Sequence, residues 1–63
     1  MASNTIENLK TAIRQEEIAV KSYRQWAKEA DEPHIEEMFN QFAQNEMWHL
    51  TALMEKLKKY KDE

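Results

Sequence analysis

Apolar side chains recur every three or four residues along almost the whole chain, in two blocks separated by a polar stretch around Pro33. In the first block Ile6, Leu9, Ala12, Ile13, Ala19, Val20, Tyr23, Ala27 and Ala30 fall on one helical face. In the second, Ile35, Phe39, Phe42, Leu53, Leu57 and Tyr60 form one seam, and Ala43, Met47, Leu50 and Met54 an adjacent one. The period predicts two helices over roughly 4–30 and 33–60, each about 40 Å long at 1.5 Å per residue. Asn4 with Glu7 resembles a capped start, and residues 61–63 are expected to fray. Pro33 suits the first position of the second helix, with Asp31 or Glu32 as its cap. A turn this short predicts an antiparallel hairpin.

The double seam changes that picture. Two helices cannot cover faces this wide, so the pattern asks for another neighbour. Pairing two hairpins into a four-helix bundle is the simplest answer. Length points the same way. A chain of 63 residues is one small domain that buries little apolar surface by itself. It has no cysteine, which excludes disulfides, thiolate zinc sites and a redox pair. A metal held by nitrogen and oxygen, or a partner chain, remains. The absence of glycine and the single proline argue against a hairpin-rich β-protein. The net charge of −3 is mild, and the lysines at 56, 58, 59 and 61 are only a tail cluster, so nucleic acid is not an expected partner. No apolar run approaches the ~20 residues of a membrane span, and no signal-peptide pattern stands at the start. A soluble cytoplasmic protein is the expectation.

Three polar residues interrupt the stripes. Glu16 lies near the centre of the first apolar arc, flanked by Leu9, Ile13, Val20 and Tyr23. Glu46 lies near the centre of the second, among Phe39, Phe42, Leu50 and Leu53, and His49 projects from the same face one turn later. Any one of them alone reads as a boundary side chain reaching for water. Their depths agree, however. In an antiparallel hairpin Glu16 and His49 are equidistant from the turn, and Glu46 is one turn nearer to it. Burying unpaired carboxylates there costs several kcal/mol each, on the order given by mutational data. A two-fold partner would bring a second set of three to the same layer. Four carboxylates repel unless protonated or neutralised, and two divalent cations balance them with both histidines neutral. An oxygen-rich set with one imidazole per metal suits iron or manganese better than structural zinc.

Glu-x-x-His on one helix with a lone Glu on the preceding one resembles the repeating half of the ferritin-like di-iron carboxylate proteins. The segments "AIRQEEIAVKSY" and "EPHIEEMFNQFAQNEMWHL" are similar to the two helices of the rubrerythrin-like branch, and the resemblance covers nearly the whole chain. It implies an all-α hairpin that dimerises into a ferritin-like four-helix bundle, since members of the family usually carry both halves in one chain. The two-helix economy is similar to that of encapsulated ferritins. The resemblance implies Glu46 as a bridging ligand, Glu16 and His49 as terminal ligands, and two iron ions per dimer, with manganese or another divalent metal as the alternative. It implies oxidation of Fe(II) by O2 or peroxide. Two rival readings stand beside it: a peroxide-reducing enzyme fed by an external electron donor, and a non-enzymatic dimerisation module with a metal-free hydrogen-bond network. The chain departs from the family in lacking a rubredoxin-like cysteine centre, and it carries no obvious encapsulation peptide.

Other residues are weighed against plainer roles. Glu17 is the alternative to Glu16 but sits at the edge of the arc, about 100° round. Tyr23, two turns or about 11 Å from Glu16, reads as core with a satisfied hydroxyl, or as a radical-quenching residue beside the metal. His34 with Glu37 sits at the turn, where solvated side chains are expected. The methionines at 38, 47 and 54 read as adaptable core. Ile18 and Trp48 lie opposite the core arcs at similar depth; they are isolated apolar surface residues or a contact between dimers in a larger assembly.

Overall fold

A computed structural model describes residues 2–62. Two helices account for nearly all of them: α1, Ala2–Glu29, and α2, Pro33–Asp62. They pack against each other as an antiparallel hairpin, 47 Å long and 14 by 11 Å across. Among the described residues no helix is long and apolar enough to cross a membrane.

The start of α1 differs from the sequence expectation. The helix already runs from Ala2, so Asn4 and Glu7 lie inside its first turns rather than capping it. Nothing in Ala2–Asn4 breaks a helix, and alanine is the best helix former. Glu7 instead pairs with Lys10 one turn on, at 3.7 Å.

The turn is built as the single proline dictates. The carbonyl of Glu32 accepts the backbone N–H groups of Ile35 (3.1 Å) and Glu36 (3.0 Å), so Glu32 stands at the cap position and Pro33 at the first helical one. There the missing N–H of proline costs nothing, because that donor has no partner inside a helix. Proline also disfavours helical geometry at Glu32, which stops α1 from running on. At the other side of the turn Ala30 donates to the carbonyl of Ala27 (3.3 Å), tightening the end of α1 without a left-handed residue.

Packing fixes the register between the helices. The rings of Tyr23 and Phe42 are 5.4 Å apart and those of Trp26 and Phe39 5.7 Å apart. Both pairs are equidistant from the Glu32–Pro33 bond, as Glu16 and His49 are. Near the turn these four rings form one cluster, Tyr23 standing edge-on to both Trp26 and Phe42 and stacked on Phe39. Among the described residues the buried apolar side chains are Val20, Ala27 and Ala43, all small or medium in size. The alanines let the helix backbones approach closely, but such a core is thin. The larger apolar groups stay open: Trp26 is 46% exposed, Ile35 37%, Phe42 39% and Met54 52%. A helix pair of this length with its aromatic side uncovered presents the unsatisfied face that the double seam predicted.

Candidate metal centre

Glu46 and His49 project from one face of α2 because three residues advance a helix by slightly less than a turn. Glu16 reaches the same place from α1 because the register set by the turn and the aromatic rings puts it level with His49. The three side chains meet: one donor atom from each lies within 4.8 Å of the others. His49 Nδ1 is 3.0 Å from Glu46 Oε1, at hydrogen-bond distance, and 3.7 Å from Glu16 Oε2, beyond it.

Their surroundings differ. The Glu16 and Glu46 side chains are each 22% exposed, whereas the His49 ring is 63% exposed and faces outward from the hairpin. Glu16 Oε2 is buried with no hydrogen-bond partner. Burial pushes the Glu16 carboxyl above its ordinary value, and the nearby Glu46 carboxyl adds to the effect; His49 pulls in the opposite direction. An acceptor left without a donor in the interior, on a group whose charged form is disfavoured, is a cost that a cation removes. Two carboxylate oxygens and an imidazole nitrogen form a hard, oxygen-rich donor set suited to iron or manganese. The residues present therefore fit a divalent metal, on the orphaned Glu16 oxygen and on the donor chemistry.

The outer side of the cluster opens into a groove of about 340 Å³ lined by Tyr23, Phe42, Asn45, Glu46, Trp48 and His49. It lies on the aromatic side of the hairpin that α1 and α2 leave uncovered.

The other candidates lie elsewhere. Glu17 is exposed and borders a different groove, with Val20, Lys21, Arg24 and Leu50. His34 and Glu37 are exposed at the start of α2. Among the described residues Glu16, Glu46 and His49 form the single group of three or more potential metal ligands. Met47 is half-buried, whereas Met38 and Met54 are exposed in the single hairpin, so core roles for these two require a cover that one chain does not supply. Ile18, 60% exposed, and Trp48, 65% exposed, point away from the helix contact. Two site features were missed in the sequence. Trp26 belongs to the aromatic cluster, and its spacing of three from Tyr23 is the signal that extends the apolar face to it. Asn45 lines the groove and is held by Gln41 Nε2, which donates to its Oδ1 at 3.2 Å; a single polar residue in a polar stretch gave no signal.

The sequence model of the rubrerythrin family matches residues 7–63, nearly the whole chain. No curated protein and no solved structure matches it.

Proposed function

The chain belongs to the rubrerythrin family, and from that premise we propose that two copies close their aromatic sides together into a four-helix bundle around a dinuclear metal centre that oxidises Fe(II) with O2 or peroxide. The observation that carries this reading is the layer of Glu16, Glu46 and His49, with its orphaned carboxylate oxygen. One chain supplies three donors and leaves His49 on the open side. A second copy related by a two-fold axis supplies the same three from the facing side.

In this reading Glu16, Glu46 and His49 hold the metal. When bound, the metal pair supplies the electrons and open coordination positions that reduction of O2 or peroxide requires. Glu16 and Glu46 balance cationic charge where water is scarce, so their electrostatic pull is stronger than on the surface. His49 is neutral when it binds, and its Nδ1 faces the two carboxylates, 3.0 Å from Glu46 Oε1. Tyr23 and Phe42 form the apolar wall of the groove and limit water on its turn side. Iron is also the substrate if oxidised ions leave the site, and peroxide is the substrate if electrons return from a donor. Ile18, and Trp48 at the rim of the groove, are the exposed apolar residues through which dimers would meet in a larger assembly.

Metal analysis of purified protein, together with its mass in solution, tests the proposal. About one metal per chain in a dimer is expected from one three-donor set per copy, with metal and O2-dependent iron oxidation both lost in Glu46→Ala. A stable metal-free monomer, or full occupancy in Glu46→Ala, refutes it; a metal-free dimer instead favours a dimerisation module whose polar layer is held by hydrogen bonds alone.

A further inference from the structure

We propose that the side of the hairpin facing away from the aromatic seam is a docking groove for an acidic amphipathic helix of another protein. On that side α1 and α2 leave two depressions between them. Ile13, Met54, Leu57, Lys58 and Lys61 line one, of about 350 Å³. Glu17, Val20, Lys21, Arg24 and Leu50 line the other, of about 310 Å³. Ile13 and Glu17 stand on neighbouring turns of α1, as Leu50 and Met54 do on α2, so the two depressions adjoin along the line between the helices. The groove at the carboxylate–histidine cluster shares none of these residues. Lys58 stands about 180° round α2 from His49, and Ile13 about 140° round α1 from Trp26. Closing two aromatic sides together therefore leaves this face open.

Charge and shape select the occupant. The floor is apolar: Met54 is 52% exposed, and Ile13, Leu50 and Leu57 are half-buried. The unbranched Met54 side chain adapts to what meets it. The rim carries Lys21, Arg24, Lys58 and Lys61 against the carboxylate of Glu17, on a chain whose net charge is −3. A complementary partner brings apolar side chains flanked by carboxylates. Both walls are helices whose backbone groups are bonded within them, so an extended segment finds no open backbone edge to pair with. A helix carries its own backbone bonds and lays apolar side chains into such a groove at spacings of three and four. From Ile13 to Arg24 on α1, and from Leu50 to Lys61 on α2, the distance is about 16 Å at 1.5 Å per residue, three turns of the incoming helix. A lipid surface fits less well, because in a two-fold dimer the two grooves face opposite ways and only one at a time can meet a membrane. The groove lies within one hairpin and does not depend on the metal.

Random peptides about 15 residues long, displayed on phage and selected against the purified wild-type protein, supply the probe. The selected sequences should be rich in Asp and Glu, with apolar residues three and four apart. A synthetic peptide of the best sequence should gain helical circular dichroism on binding. It should bind at least tenfold more weakly to Met54→Glu, and to the double variant Lys58→Glu with Lys61→Glu. These substitutions fall on exposed side chains, and the melting curve of each variant checks that its fold is kept. Trp48→Ser, at the rim of the other groove, should bind the peptide as wild type does. Selection of basic or proline-rich sequences, a bound peptide that gains no helix, or unchanged affinity in both groove variants overturns the proposal. With no acidic helix selected, loss of species larger than a dimer in both groove variants assigns the face to a further copy of this chain. Binding of phosphatidylserine vesicles to wild type but not to the groove variants assigns it to lipid. Either result overturns the proposal as well. A wild-type chain that binds no metal refutes the reading of the metal centre and leaves the peptide result to decide the groove.

Discussion

Replacing Glu16 by Gln should move the stability of this protein in opposite directions with and without metal. The wild-type carboxylate keeps one oxygen, Oε2, buried without a donor, beside the Glu46 carboxyl. Leaving a buried acceptor unsatisfied costs about 1–3 kcal/mol, and charge raises the figure. Glutamine has nearly the same shape, removes the charge and ends the repulsion with Glu46. Metal-free Glu16→Gln should therefore be more stable than wild type at neutral pH by about 1 kcal/mol or more. For a domain of this size that raises the melting temperature by about 4–8 °C per kcal/mol. The pH dependence follows from the raised carboxyl. The folded state holds the Glu16 proton more tightly than the unfolded chain. Its stabilising contribution is complete below the ordinary value of 4.5 and is lost as pH rises through the higher folded value. The variant's advantage should thus be small in acid and grow toward neutral pH. Metal reverses the order, because a neutral amide is a poor ligand for a hard divalent ion. At a free-metal concentration of about 100 times the dissociation constant, wild type gains about 2.7 kcal/mol, and Glu16→Gln should gain much less. Melting curves at one protein concentration, from pH 4 to about 8, with chelator and with Fe(II) under argon, provide the assay. A variant that is less stable than wild type in both conditions would mean that the ionised Glu16 carboxylate is a satisfied structural acceptor, and the metal argument built on its orphaned oxygen would fall.

Other perturbations separate the roles of neighbouring residues. Glu17→Gln should leave metal content unchanged, because Glu17 is exposed and outside the cluster; metal analysis showing loss would move the ligand from Glu16 to Glu17. Phe42→Ala removes a ring in contact with Tyr23 and Phe39 on the open side. Phe42 is 39% exposed in the single hairpin, and covering that part with a second copy is worth about 1–2 kcal/mol, so its loss should weaken the dimer roughly tenfold, read by sedimentation; an unchanged dissociation constant would place the interface elsewhere. Ala43→Leu forces a larger side chain between helices at a residue only 2% exposed. It should destabilise the fold by about 1–3 kcal/mol, measured by urea unfolding. Trp48→Ser should retain metal binding while removing any species larger than a dimer, as judged by light scattering.

The two helices, the turn at Pro33 and the meeting of Glu16, Glu46 and His49 were legible in the sequence for a local reason. Helical period and a single proline act within a few residues, and without glycine nothing competes with them. Equal distance from the turn also carried the match in depth between Glu16 and His49, because an antiparallel hairpin with a tight turn has little freedom of register. The cap assigned to Asn4 failed for a local reason too: its residue types permit a cap but do not force one, and the helix ran on to Ala2. Other features arise only when the two helices touch. The orphaned Oε2 of Glu16 depends on which rotamers fill the contact, and the adjacency of Trp26 to Phe39 on how the rings interlock. Exposure of His49 depends on the contact line between the helices falling on Ala27 and Ala43, which let the backbones approach, rather than on the aromatic seam. A linear pattern specifies which side chains share a face. It does not specify how far a neighbouring helix covers that face, and here the uncovered part holds both the groove and its histidine.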